Sequence, residues 1–176
     1  MIERRTAAFT ATLLLALGGC MAGGHPVGPA PQVMIPTPSF INPGTVAGLD
    51  GFSQAVKAGS TMYISPQVSL DSAGRIVGEH DIAAQTTQAL ANLATVLEIG
   101  RVTTGDIVQL NVYLVSPSTA DYRTVHDLIA AFLPGPQRPA ITLLGVQSLP
   151  MPGLLVAIGA VSTVRGQFLE RQQNRR

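Results

Sequence analysis

Apolar and polar positions along the chain repeat with two different periods, and each change of period marks an element. Residues 52–57 and 61–70 read as two strands, with Ala58-Gly59-Ser60 as the turn between them and Ser72-Ala73-Gly74 as a second turn. Residues 81–99 read as a helix. Ile82, Thr86, Ala89, Leu90, Leu93, Val96 and Leu97 recur at spacings of three and four, and Gly100 stands where a C-terminal cap belongs. Residues 106–115 alternate with period two. Val108, Leu110, Val112 and Leu114 point one way; Gln109, Asn111 and Tyr113 point the other. Ser118 and Asp121 form a capping pair for a second helix with Tyr122, Val125, Ile129 and Phe132 on one face, stopped by Pro134-Gly135-Pro136. Residues 140–146 and 154–164 are two more strands.

The order is therefore ββαβαββ, an α+β arrangement in which two helices cover one face of the sheet. The last strand is apolar on both faces: Leu154, Val156, Ile158 and Ala160 on one, Leu155, Ala157, Gly159 and Val161 on the other. Leaving apolar surface in water costs roughly 25 cal/mol per Å². A second copy of the chain is the economical cover, so the pattern predicts a symmetric oligomer.

The amino-terminal third is different. A short charged start, Met1 to Arg5, precedes an uncharged apolar run over 6–17 that is too short to span a bilayer, which needs about 20 residues. This is the layout of an export signal. Leu17-Gly18-Gly19-Cys20 resembles the lipobox of bacterial lipoproteins, which implies a signal peptide over 1–19, cleavage before Cys20 and acylation of its thiol. The chain would then be tethered to a membrane by lipid; Met21 in the next position, where Asp would retain a lipoprotein, favours the periplasmic side of the outer membrane. Residues 20–45 hold Pro26, Pro29, Pro31, Pro36, Pro38 and Pro43, which predicts an extended spacer. The body is expected over 46–166, with a frayed tail over 167–176.

Composition narrows the function. Charged residues are 12% of the chain and the net charge is +1, so there is no basic excess to neutralise phosphates and nucleic acid is not expected as a partner. A single cysteine forms no internal disulfide and no zinc site by itself. Glu79, His80 and Asp81 are adjacent, and a solvated helix start accounts for them better than a metal site does.

Six segments of the body resemble the RidA (YjgF) family. Gly51-Phe52-Ser53-Gln54-Ala55-Val56 is similar to its G-P-Y-S-Q-A-V opening, and Ser65-Pro66-Gln67-Val68 to its S-G-Q-I strand. Gln85 with Leu90-Ala91-Asn92-Leu93, Gly105-Asp106-Ile107-Val108 with Val112-Tyr113-Leu114, Asp121-Tyr122 with Phe132, and Arg138-Pro139-Ala140 with Leu149-Pro150 follow in family order. The resemblance implies a chorismate-mutase-like homotrimer with a ligand cleft between subunits. It also implies hydrolysis of imines and enamines to 2-oxo acids and ammonia, without metal or cofactor.

The reacting groups do not carry over. The family's substrate arginine falls at Ile141. Its water-positioning glutamate falls at Ala157, or at Val156 in the other register, and no Asp or Glu occurs from Leu128 through Leu169. The family tyrosine is Phe52, and the glycine of S-G-Q is Pro66, which has no N–H. Arg138 precedes a prolyl bond and is expected to point elsewhere. A carboxylate entering such a cleft would lack a cation. The expectation is a divergent small-molecule-binding member of the family, with the imine/enamine deaminase and an envelope partner protein as alternatives. Ser65, Gln67, Asn111, His126 and Thr142 are the remaining polar residues expected around the cleft, with His126 read as an exposed helix histidine before a base.

Overall fold

The computed structural model describes residues 36–164 apart from 137. The expected signal segment over 1–19, Cys20, most of the spacer and the tail over 167–176 lie outside the described residues. One six-stranded sheet runs through the domain: β1 (Ser39–Ile41), β2 (Ala55–Ala58), β3 (Thr61–Val68), β4 (Ile107–Val115), β5 (Ala140–Val146) and β6 (Val156–Thr163), in the order β1-β2-β3-β6-β4-β5. All neighbours are antiparallel except β4 and β5. Helix α1 (Ile82–Ile99) links β3 to β4, and α2 (Thr119–Phe132) links β4 to β5. The α+β arrangement read from the sequence is thus the one observed, with one strand more.

That extra strand comes out of the expected spacer. Ser39-Phe40-Ile41 is free of proline between Pro38 and Pro43, and three residues suffice for an edge strand against β2. The Gln54 backbone N–H donates to Asn42 Oδ1 at 2.9 Å and fastens the segment further.

Both helices pack on the same sheet face. Leu90, Leu93, Val96 and Leu97 of α1 and Val125 and Ile129 of α2 join Ile64, Leu110, Val112, Leu114, Val156, Ile158 and Ala160 in one buried core. A smaller cluster, Val68, Leu70, Leu154 and Ala157, lies apart from it with Tyr113 and Leu149 against it. Leu154 therefore belongs with Ala157, not with Val156 as strict alternation predicts, because β6 begins only at Val156. Val108 also departs from its expected face. The β4–β6 register shifts between Ile107 and Gln109, so Ile107 turns into the core and Val108 is 47% exposed.

The polar residues of α1 are structural. Asp81 caps it, its Oδ1 accepting from the Ala83 and Ala84 N–H groups at 2.9 and 3.0 Å. Gln85, fully buried, donates to the Gly153 carbonyl and accepts from the Leu155 N–H, both at 2.8 Å, and so holds the loop into β6. Asn92 donates to the Val68 and Leu70 carbonyls at 2.9 Å and holds the end of β3. At the other end, Gly100 is the C-cap but has φ −68°, and the left-handed residue is Arg101 at φ 56°. Arg101 N–H donates to the Glu98 carbonyl and Val102 N–H to the Leu97 carbonyl, the paired closure of a Schellman motif. Gly100 is small for another reason: a Cβ there would stand 2.4 Å from Met62 Sδ.

Candidate functional site

Most of the residues expected around one cleft fall into two separate depressions on a single chain. The first is formed by the segment before β2, the middle of β3 and the loop into β6. Its volume is about 340 Å³, within the range of pockets that hold small ligands. Phe52, Ser65, Gln67 and Ala157 all line it, together with Gln54 and Tyr113. Ala157 is thus the member of the Val156/Ala157 pair that reaches the depression, while Val156 is fully buried in the core.

An irregularity in β3 builds this wall. The β3–β6 register shifts between Ile64 and Gln67, where Pro66 supplies no N–H to continue the ladder. Gly159 on β6 leaves the room: a Cβ there would lie 3.2 Å from the Ile64 carbonyl oxygen and 3.3 Å from Pro66. The Ser65 N–H donates to the Gln54 carbonyl at 2.9 Å, and its hydroxyl donates to the Ser53 carbonyl at 2.8 Å. Phe52, at 77% exposed, stands at the rim with a bare ring where a tyrosine would offer a hydroxyl.

The second depression, about 120 Å³, lies between α2 and β5 and holds His126, Arg138 and Ile141. Ile141 pairs with Leu110, and so belongs to the helix-covered face; Ala157 pairs with Tyr113 and Val68 on the opposite face. Ile141 is 51% exposed because β5 is an edge strand. The Arg138 guanidinium is engaged by the main chain. Its Nη1 donates to the Ala130 and Leu133 carbonyls at 3.1 and 2.9 Å, which closes the C-terminus of α2. His126 is exposed, with Nδ1 3.0 Å from the Asp127 carboxylate on the same helix.

Asn111 and Thr142 line neither depression. They are paired neighbours on β4 and β5, next to Gly159 of β6, and Asn111 Oδ1 accepts from Gln109 Nε2 at 3.1 Å. The residue that sequence reasoning missed in the site is Gln54, read there only as part of a motif. Its place in the segment before a strand gave no sign that its side chain would be buried beneath Gly48, whose Cβ would come within 3.2 Å of it.

A six-stranded mixed sheet with two helices on one face and a small-molecule-sized depression on the other defines a ligand-pocket α+β domain. The chain matches the Endoribonuclease L-PSP family over residues 45–164, and it belongs to this family, the RidA (YjgF) family. It is 33% identical over 125 residues to the 2-iminobutanoate/2-iminopropanoate deaminase of Mus musculus, covering 70% of this chain and 88% of the relative. Among solved structures it is similar to YyfA, a Rid family protein of Yersinia pestis, with TM-score 0.67, 28% identity and coverage of 73% of this chain and 100% of that one. It is equally similar in identity, 28%, to RidA of an Antarctic Psychrobacter, with TM-score 0.64 and coverage of 72% and 99%.

Proposed function

We propose that this protein is a divergent RidA-family member that binds a small apolar molecule and does not hydrolyse amino-acid-derived imines, held by lipid on Cys20 at the periplasmic side of a bacterial outer membrane. One observation carries the reading. At the two positions where family resemblance places the anion-gripping arginine and the water-positioning glutamate, the chain has Ile141 and Ala157, and the nearby guanidinium of Arg138 is engaged by main-chain carbonyls. Hydrolysis of an imino acid needs a cation for its carboxylate and a group to move protons. No Asp or Glu lines either depression, and no Lys, Arg or His lines the first. The lipobox resemblance at Leu17 to Cys20 supports the anchor, and the placement of Ile141 and Ala157 on opposite sheet faces supports a cleft completed by a neighbouring copy in a homotrimer.

The deaminase names of relatives such as the mouse protein favour the alternative, an active imine deaminase with substitute residues. The test couples the purified full chain to an oxidase that generates 2-iminopropanoate from alanine and follows ammonia release. The expected rate is that of the spontaneous reaction. A rate that rises in proportion to added protein establishes the deaminase instead.

A further inference from the structure

We propose that the end of the sheet where the chain enters β1 and leaves β6 is a docking face for an anionic phospholipid surface, and that it holds the domain with the first depression turned away from the membrane. The proposal goes beyond the anchor argued above, which ties the chain to a membrane without orienting it.

Strand pairing defines the two ends of the sheet. Ser39 pairs with Lys57, Lys57 with Met62, Met62 with Ser162, and Ser162 with Ile107. The chain enters β1 in this row, at Ser39, and leaves β6 one residue beyond it, at Thr163. The Val164 N–H donates to the Ser60 carbonyl at 2.8 Å, in the turn between β2 and β3. Both helices run toward the same end, since α1 leads from the end of β3 to the start of β4, and α2 from the end of β4 to the start of β5. The first depression lies at the other end, where Val68 pairs with Ala157.

Charge divides along the same line. Lys57 stands in the row itself, Arg101 is exposed just after α1, and Arg138 is exposed just after α2. Two acids share this end. Glu98 is exposed in the last turn of α1, beside Ile99, which is 52% exposed; Asp106 is buried, with Oδ2 accepting from the Thr103 N–H and hydroxyl. The opposite end carries Asp71, Glu79, Asp81 and Asp121, and Asp50 among the residues that line the first depression, against Arg75, which is paired with Asp71, and Arg123. Beyond Val164 the chain supplies Arg165, Arg171, Arg175 and Arg176 against Glu170, with Phe168 and Leu169 between them.

Single positive charges spread around one end suit an extended anionic surface, where each basic side chain close to the lipid strengthens binding about fivefold. The acids of the opposite end do not cancel this. The eight residues of β3 span roughly 26 Å. Screening at physiological ionic strength has a length of about 8 Å, so those acids are hidden from the lipid.

The experiment sediments the full chain carrying Cys20→Ser, which no acyl group can anchor, with vesicles of phosphatidylcholine alone or with one third phosphatidylglycerol. Binding is expected to be at least about tenfold tighter to the anionic vesicles, and the difference should vanish near 1 M salt, where the screening length is about 3 Å. Replacing Arg171, Arg175 and Arg176 together by Gln should remove most of the difference. Lys57→Gln and Arg123→Gln delete the same charge at opposite ends. The first should weaken anionic binding about fivefold and the second less than about twofold. Equal binding to the two vesicles overturns the proposal. Equal losses for Lys57→Gln and Arg123→Gln also overturn it, because attraction would then lack a face. Circular dichroism checks each variant, and the vesicle ranking with its salt dependence remains a test where a variant fails to fold. The mass of the peptide that holds Cys20, taken from cells making the unmodified chain, reads acylation separately, so the anchor and the docking face stand or fall independently.

Discussion

Met62 and Gly100 show how one side chain decides the identity of a residue far along the chain. Met62 is fully buried, and its Sδ and Cε occupy the space a Cβ on residue 100 would need, at 2.4 and 2.5 Å. Arg101 meanwhile takes the left-handed conformation that glycine adopts without steric cost. Two opposite outcomes follow from thermal unfolding. Gly100→Ala should destabilise the domain by about 1–3 kcal/mol through overpacking. Arg101→Gly should stabilise it by about 1 kcal/mol through relief of the left-handed residue. From sequence, a glycine after a helical run reads as the left-handed cap. The steric role of Gly100 was not legible, because the atom that demands it lies on β3.

Among the elements, α2 is the one whose start was fully written in its residues. Ser118 Oγ accepts from the Asp121 N–H at 3.2 Å, and the Asp121 carboxylate accepts from the Ser118 N–H at 2.8 Å and from its hydroxyl at 2.7 Å. The Ser118 hydroxyl, then the Ser118 N–H, hold the Asp121 carboxyl below its ordinary 3.8. A carboxyl that ionises more readily folded than unfolded contributes stability above the unfolded value, and that contribution drains away as pH falls through the lower folded one. Melting temperature against pH should therefore fall below about pH 3.8, and Ser118→Ala should make that acid loss shallower. Asp71 adds to the same window, held low by the Arg75 N–H and guanidinium. Strand boundaries were less legible than helix starts. The period-two pattern of β4 fails at Val108, and that of β3 at Ser65-Pro66, because a register shift is a property of two strands and the pattern reports one.

At the scale of the whole molecule, the sheet presents a second face without helices. Register aligns Phe40, Val56, Tyr63 and Val161 across β1, β2, β3 and β6, and Phe40 and Tyr63 are more than half exposed. Apolar patches of this kind mark contact surfaces. Sedimentation should give the mass of three chains, and Tyr63→Asp should shift it to that of one. The need for such a cover could be read in the doubly apolar β6. The division of the site could not: Phe52, Ser65, Gln67 and Ala157 meet in one depression and His126, Arg138 and Ile141 in another, and only the pairing of strands assigns each to its side. A single chain can thus enclose a guest with one of these surfaces and never with both. Where a full enclosure is built head to tail around a ring, there is one chamber for each chain, and diluting the protein until the ring opens would empty every chamber while each chain remained folded.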